Sequence, residues 1–262
     1  MRSYLIRIGY HGYMFTGFQK GNGDRSIEDE IIRTLGNEAV FIRSASRTDR
    51  DVSAVANVVQ IETEKPPRMI IHRMNSIHGL FAWGFASVDK KFNARHAKQR
   101  RYLYILDAQR IDAGLLEKRL RKFEGTHDFS SFCRKDHRNT VRTIDGISLM
   151  KSGTLISVEF VGKSFLWNQI RGIMAFSIKE DSDPFSLKGR YPYLADPSGL
   201  ILLSVEYEDI NFTDVLEKPI VRNIFRERNR AASDYTLFSI LQRYVSQNTN
   251  NRFTGEKAEM EK

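Results

Sequence analysis

Between Tyr4 and Tyr10 the chain alternates Tyr4, Ile6, Ile8 and Tyr10 with Leu5, Arg7 and Gly9, a period of two that predicts a strand. Gly12, Gly17, Gly21 and Gly23 then mark a loop. A helix is predicted to start at Ser26, a capping residue with Asp29 three positions on, and its apolar stripe of Ile27, Ile31, Ile32 and Leu35 closes at Gly36. A strand rich in valine and isoleucine follows over 54–62. Pro66-Pro67 stops it, and a short helix carries Met69, Ile70 and Met74. Further along, the pattern predicts strands over 81–88 and 101–106, then a basic amphipathic helix over 111–123. Two apolar runs within 144–161 flank Ser152-Gly153, a two-residue hairpin signal. A mostly apolar helix over 165–178 and a strand over 200–207 complete the pattern.

Helices mixed with hairpin-compatible strands give an α+β fold rather than a doubly wound parallel sheet. A break near 107–114 divides the pattern into an N-terminal half, 1–107, and a C-terminal half, 108–209. The remainder, 210–262, reads as an extension whose apolar period weakens and whose end, from 242, reads as a frayed or disordered tail. A length of 262 residues fits one or two domains at roughly 150 residues each. With 41 Lys and Arg against 32 Asp and Glu the net charge is +9, which makes an anionic polymer a natural partner. The single cysteine, Cys133, excludes an internal disulfide framework and fits a reducing compartment. No apolar run approaches the ~20 residues of a membrane span, and Arg7 interrupts the N-terminal apolar stretch before it can serve as a secretory signal. The expectation is a cytosolic protein with no membrane partner.

Three constellations carry candidate chemistry. The densest is Ser46-Arg47-Thr48-Asp49-Arg50-Asp51, set between an apolar stretch (Ala39, Val40, Phe41, Ile42) and a strand. By composition it is a solvated loop of mutually neutralising charges. Extended, it aims Asp49 and Asp51 the same way, an arrangement able to hold Mg²⁺ for phosphoryl transfer. Second, Arg171 lies in a helix apolar enough to be buried, so the guanidinium either snorkels to the surface or pairs with an anion. A carboxylate so paired is held ionised, ready to act as nucleophile or base. Third, Arg95, His96, Lys98, Arg100 and Arg101 lead into a strand with Tyr102 and Tyr104 on one face. That is either a core face with one or both tyrosines buried, or a basic rim beside an aromatic face, as RNA binding requires. A loop with Arg134, Lys135, His137, Arg138 and Arg142 extends the positive charge. The six histidines show no metal-ligand spacing, and there is no glycine-rich phosphate loop and no Gly-x-Ser-x-Gly elbow. The expectation is therefore chemistry by side chains alone, with no metal and no organic cofactor.

In order and spacing these pieces resemble the tRNA pseudouridine synthase A family. Tyr10-His11-Gly12 through Gly17-Phe18-Gln19 is similar to its opening segment, and Ser26-Ile27-Glu28 to the start of its first helix. Arg47-Thr48-Asp49 matches its core motif, with Val52-Ser53-Ala54 following as in archaeal and eukaryotic members. Phe92-Asn93-Ala94-Arg95 with Arg101-Tyr102-Leu103-Tyr104, Asp128-Phe129-Ser130-Ser131-Phe132, Phe165 to Arg171, and Gly199-Leu200-Ile201-Leu202 match later blocks. The likeness spans about residues 4–207.

The resemblance implies a mainly antiparallel sheet built from two related ferredoxin-like halves, with a basic cleft between them. It also implies a homodimer acting on the anticodon stem and loop of tRNA, where uridine just 3′ of the anticodon becomes pseudouridine without a cofactor. Asp49 would be the catalytic carboxylate, attacking the sugar or removing a proton from it, and Arg171 its partner. Tyr102 would pack on the flipped uracil, and Arg47 would reach toward the vacated space or nearby phosphates. Ser46 and Asp51 replace family glycines, and Trp167-Asn168-Gln169 departs from the usual histidine-rich filling. These departures keep two alternatives open: a tRNA-binding protein without turnover, and a Mg²⁺-dependent phosphoryl-transfer enzyme using Asp49 and Asp51.

Overall fold

Among the described residues ten strands form one sheet. The strand β1 (Arg2–Tyr10) lies between β3 (Ser53–Thr63) and β4 (Leu80–Val88), antiparallel to both, and the short β2 (Phe41–Ser44) also pairs with β3. On the other side β5 (Gln99–Asp107) lies between β8 (Leu155–Gly162) and β9 (Leu200–Glu206), with β7 (Val141–Ser152) and β6 (Gly125–Asp128) beyond β8, again all antiparallel. One parallel contact joins the two half-sheets: Ser53 of β3 opposite Ile201 of β9, and Ala54 opposite Leu202. This is the expected α+β class with a mainly antiparallel sheet. The division at 107 does not follow the sheet, however, because β5 precedes that point yet is built into the half made by the later strands.

The computed structural model describes the chain except residues 22, 40, 108, 110, 135–138, 217 and 260–262, and gives the backbone alone for 41 and 242–259. It falls into two compact units, Met1–Val215 and Leu216–Lys262. In the first, β1 is buried on both faces, so Leu5 is as enclosed as Ile6 and Ile8, and the alternation of its side chains marks two covered faces rather than one. The helix α1 (Ile27–Leu35) starts where its cap predicts: the Asp29 amide donates to Ser26 Oγ at 3.1 Å. Its inward stripe is Ile27, Ile31 and Leu35, whereas Ile32, which falls off that line at helical pitch, is exposed. After α2 (Pro67–Met74) and β4, the helix α3 (Ala113–Arg121) is capped by Asp112, whose side chain accepts from the Leu115 amide at 3.0 Å. It packs with α4 (Gln169–Lys179). Phe123 fills the space between them, edge-on to Phe132 at 5.0 Å and to Phe176 at 6.0 Å.

Local geometry moves three boundaries. The hairpin turn is Gly153-Thr154, because Ser152 still pairs with Leu155 and Gly153 takes the positive φ of 58°. The helix α4 begins at Gln169 rather than Phe165, because Asn168 sits at φ 67°, outside helical space. The chain also does not leave the first unit at 209. The two-residue β10 (Thr213–Asp214) adds to the edge of β4, with Asp214 3.7 Å from Arg7. In the second unit, α5 (Lys218–Glu259) takes in residues 242–259 of the segment expected to fray, and has Pro219 in its first turn, where the missing N–H costs nothing. No described helix is long and apolar enough to cross a membrane.

The seat of α4 depends on a residue with no side chain. A Cβ on Gly172 would lie 2.7 Å from the Phe132 carbonyl oxygen, a backbone atom that cannot swing aside. Gly172→Ala is expected to lower the unfolding free energy by about 1–3 kcal/mol, read from the midpoint of a urea transition.

Candidate active site

The loop between β2 and β3 carries Arg47 and Asp49, and several of its backbone groups are held from outside. Ala45 donates to the Val58 carbonyl, and Asn57 Nδ2 donates to the Ser46 carbonyl at 2.9 Å. The Tyr10 hydroxyl meets Thr48 Oγ1 at 2.8 Å, and the Phe18 amide donates to the Thr48 carbonyl. The segment around Gly12 lies so close that a Cβ there would come within 2.4 Å of the Asp51 and Val52 backbone. Hence the spacing of Tyr10, Gly12 and Phe18: they form the floor on which the loop is laid. The loop closes as a reverse turn, the Val52 amide donating to the Asp49 carbonyl, with Asp51 third in the turn at φ 67°. Aspartate tolerates that left-handed conformation better than most residues, so it can stand where a glycine would be usual.

Arg100 secures the same loop from the other half-sheet. Only 6% exposed, its guanidinium donates from Nε to Ser46 Oγ at 3.0 Å and from Nη2 to the carbonyls of Ala45 and Arg95, both at 2.9 Å. Nη1 donates to the Lys163 carbonyl. One buried cation thus joins the Asp49 loop, the segment before β5 and the approach to α4. It belongs to no phosphate-binding rim, and Arg101 beside it pairs with Glu159 at 2.8 Å. The period-two pattern of Arg100, Tyr102 and Tyr104, read as one inward face, carries the signal for this. Tyr104 is core, its hydroxyl donating to the Asp196 carbonyl, while Tyr102 stands edge-on to Phe165 at 5.3 Å and faces the site.

Arg171, on the first turn of α4, meets Asp49 across the junction: Nη1 lies 3.3 Å from Oδ2, with the side chains 15% and 28% exposed. Nε donates to the Ala195 carbonyl at 2.8 Å and Nη1 to Asn168 Oδ1 at 3.2 Å, so the guanidinium is aimed by three acceptors. Arg47, Asp49, Tyr102, Phe165, Trp167 and Arg171 line one cleft of about 70 Å³. A larger groove of about 690 Å³, around Arg25, Arg73 and His78, contains none of them. Trp167, 43% exposed, has Arg134 stacked 4.1 Å from its ring centre. Of the basic loop anticipated there, Lys135, His137 and Arg138 lie outside the described residues, and Arg142 turns to the Asn139 and Val141 carbonyls.

The electrostatics of Asp49 reverse one expectation. Burial is the largest influence and pushes its carboxyl above the ordinary value. Arg171, the Trp167 indole and Arg134 pull it back without fully offsetting burial. Burial likewise raises the Tyr102 hydroxyl, which stays neutral. The charges bearing on Asp49 are cationic, and Asp51 lies 3.8 Å from Arg50. The paired-carboxylate arrangement needed for Mg²⁺-assisted phosphoryl transfer is therefore not what the turn presents.

A sequence model described as "tRNA pseudouridine synthase" matches residues 120–188. The tRNA pseudouridine synthase A of Thermoplasma acidophilum is 43% identical over 225 residues, covering 84% of this chain and 89% of that protein. The protein of the same name from Pyrococcus furiosus is 36% identical over 227 residues, covering 79% and 84%. Among solved structures, "Crystal Structure of a Cbf5-Nop10-Gar1 Complex" overlaps 78% of this chain and 48% of that chain at 11% identity, with a TM-score of 0.35.

Two stability measurements follow from the site. Arg100→Met leaves four acceptors, two of them in buried bonds, without their donor and is expected to cost about 3 kcal/mol or more in a denaturant titration. Because Asp49 has a higher pKa folded than unfolded, its ionised form is the destabilised one at neutral pH. Asp49→Asn should therefore melt above wild type at pH 7. The gap should close as pH falls and the wild-type carboxyl becomes protonated in both states.

Proposed function

Because the chain belongs to the tRNA pseudouridine synthase A family, we propose that it converts uridine to pseudouridine in the anticodon stem and loop of tRNA, with Asp49 as the catalytic carboxylate. The observation that carries this reading is the meeting of Asp49 and Arg171, 122 positions apart, in a cleft that also holds Tyr102 and Arg47. The reaction conserves every atom. The bond from C1′ to N1 breaks, the ring turns, a bond from C1′ to C5 forms, and the proton lost from C5 is matched by one gained at nitrogen. No energy-carrying nucleotide has to be bound.

The target base must leave the stack to be reached, and an unpaired loop or stem-end base is the least costly to extrude. Tyr102, neutral and fixed against Phe165, offers a ring for the uracil to pack on. Asp49 works at the sugar as the glycosidic bond opens, and Arg171 keeps it ionised against the pull of burial. Arg47, exposed at the mouth, faces phosphate or the space the base vacates. At about 70 Å³ the cleft holds roughly two waters' share of liquid volume, so the uracil enters by displacing a wall, and Trp167, 43% exposed, is a wall open to solvent. We take the working unit to be a cytoplasmic homodimer, both of whose subunits touch one tRNA.

Incubating the protein with tRNA transcripts is expected to yield pseudouridine in the anticodon arm, mapped by carbodiimide treatment and primer extension, and Asp49→Asn is expected to yield none. Binding without any pseudouridine would replace this reading with that of a tRNA-binding protein. In wild type the rate should fall as acid protonates Asp49. Arg171→Lys, which weakens the group that lowers that pKa, should move this acid limb to higher pH.

A further inference from the structure

The amide of Gln169 is the polar group of the cleft whose bonding is incomplete. The residue lines the same cleft as Asp49, Tyr102 and Arg171 and is 1% exposed. Its Oε1 accepts from the Leu166 backbone amide at 2.8 Å. That contact settles which end of the amide is which, because the backbone N–H needs an oxygen opposite it. Nε2, a donor of two hydrogens, is thereby turned away from Leu166. It is shut off from solvent and has no acceptor among the described residues.

A buried donor without an acceptor is costly, and folded proteins rarely keep one. Here it is kept at the start of α4, one residue after the left-handed Asn168 and two before Arg171. The backbone that aims Arg171 at Asp49 therefore also places this side chain in the wall of the cleft, its donor covered until a wall moves. The Leu166 amide accounts for the oxygen of this side chain but not for its NH2 group.

We propose that Gln169 is a specificity-determining residue whose Nε2 donates a hydrogen bond to a ring carbonyl of the extruded uracil. The chemistry matches: uracil presents carbonyl acceptors at positions 2 and 4, whereas cytosine carries an amino donor at position 4. Donation to O4 rejects cytosine by setting donor against donor, while donation to O2 fixes the ring as it turns. The assignment rests on the uridine-isomerase reading above.

The test uses the full chain and anticodon stem-loop RNAs bearing uridine, 2-thiouridine or 4-thiouridine at the target position. Sulfur is the weaker acceptor, so in wild type one of the two thio substitutions should lower kcat/KM by about tenfold, and which one identifies the carbonyl. Gln169→Met should lower kcat/KM on uridine by a similar factor and then respond to neither sulfur. Gln169→Glu, which keeps an oxygen for the Leu166 amide, should behave alike and shows that the loss is not a folding defect. If both variants match wild type on uridine, or lose rate yet keep the full thio sensitivity, the assignment is overturned and Gln169 is packing. If wild type forms no pseudouridine in any uridine stem-loop, the functional reading fails and takes the assignment with it. An active wild type with thio-insensitive rates overturns the assignment alone.

Discussion

A carboxylate and a guanidinium meeting inside the protein is the constraint around which this structure is organised. Asp49 is contributed by a loop of one half-sheet and Arg171 by a helix packed with the other, and the half-sheets share one parallel contact two residues long. Such a pair does little to stabilise a fold, because desolvation opposes the attraction. For Asp49 desolvation is the larger influence. The contact therefore cannot hold the halves in register, and its geometry has to be imposed by something else. Arg100 does much of this, since its buried donors reach the Asp49 loop, the segment before β5 and the approach to α4 together. Tyr10, Thr48 and Asn57 do the same from beneath the loop.

Two residues in left-handed conformation flank the pair, Asp51 after Asp49 and Asn168 before Arg171. Each carries on the order of 1–2 kcal/mol of backbone strain relative to an ordinary conformation. Such strain persists where the surroundings over-determine the chain, and both sites meet that condition. Asp51 is pressed against Gly12 and closes a hydrogen-bonded turn. Asn168 accepts from Arg171 through its side chain and from the Gly172 amide through its carbonyl. Asp51 thus takes a backbone shape that glycine adopts freely, and its carboxylate lies 3.8 Å from Arg50.

The elements legible in the sequence were those whose signals are local. The Ser26 cap, the Pro66-Pro67 stop and the valine-rich β3 need no partner to declare themselves, and each lies within a residue or two of its predicted place. What escaped depended on distant contacts. The short β2, β6 and β10 exist because a neighbouring edge is available to them, not through any pattern of their own. The placement of β5 in the second half-sheet is topological. Asp49, Arg171, Tyr102 and Arg47 stood out by residue type and by family likeness, and the fold brings all four to one cleft. Arg100 was hidden within a basic run, because a solvated charge and a buried one look alike until the inward face of the strand is known.

Away from the cleft, local rules mostly hold among the described residues: side chains cap α1 and α3 and glycines stand where backbones touch, although Thr16 Oγ1 and Ser177 Oγ are buried without a partner and Asp209 is left-handed. Within it they are broken together. A carboxyl is held above its ordinary pKa, an amide donor is buried without an acceptor among the described residues, an asparagine is strained and a tryptophan is left open to solvent. Consistent local choices specify a fold, and departures from them concentrate where a site must meet something from outside. The ligand proposed for this cleft would bring carbonyl acceptors, a flat ring to lie on Tyr102 and an electrophilic carbon near Asp49. A uridine turned out of its stack carries all three on one nucleotide.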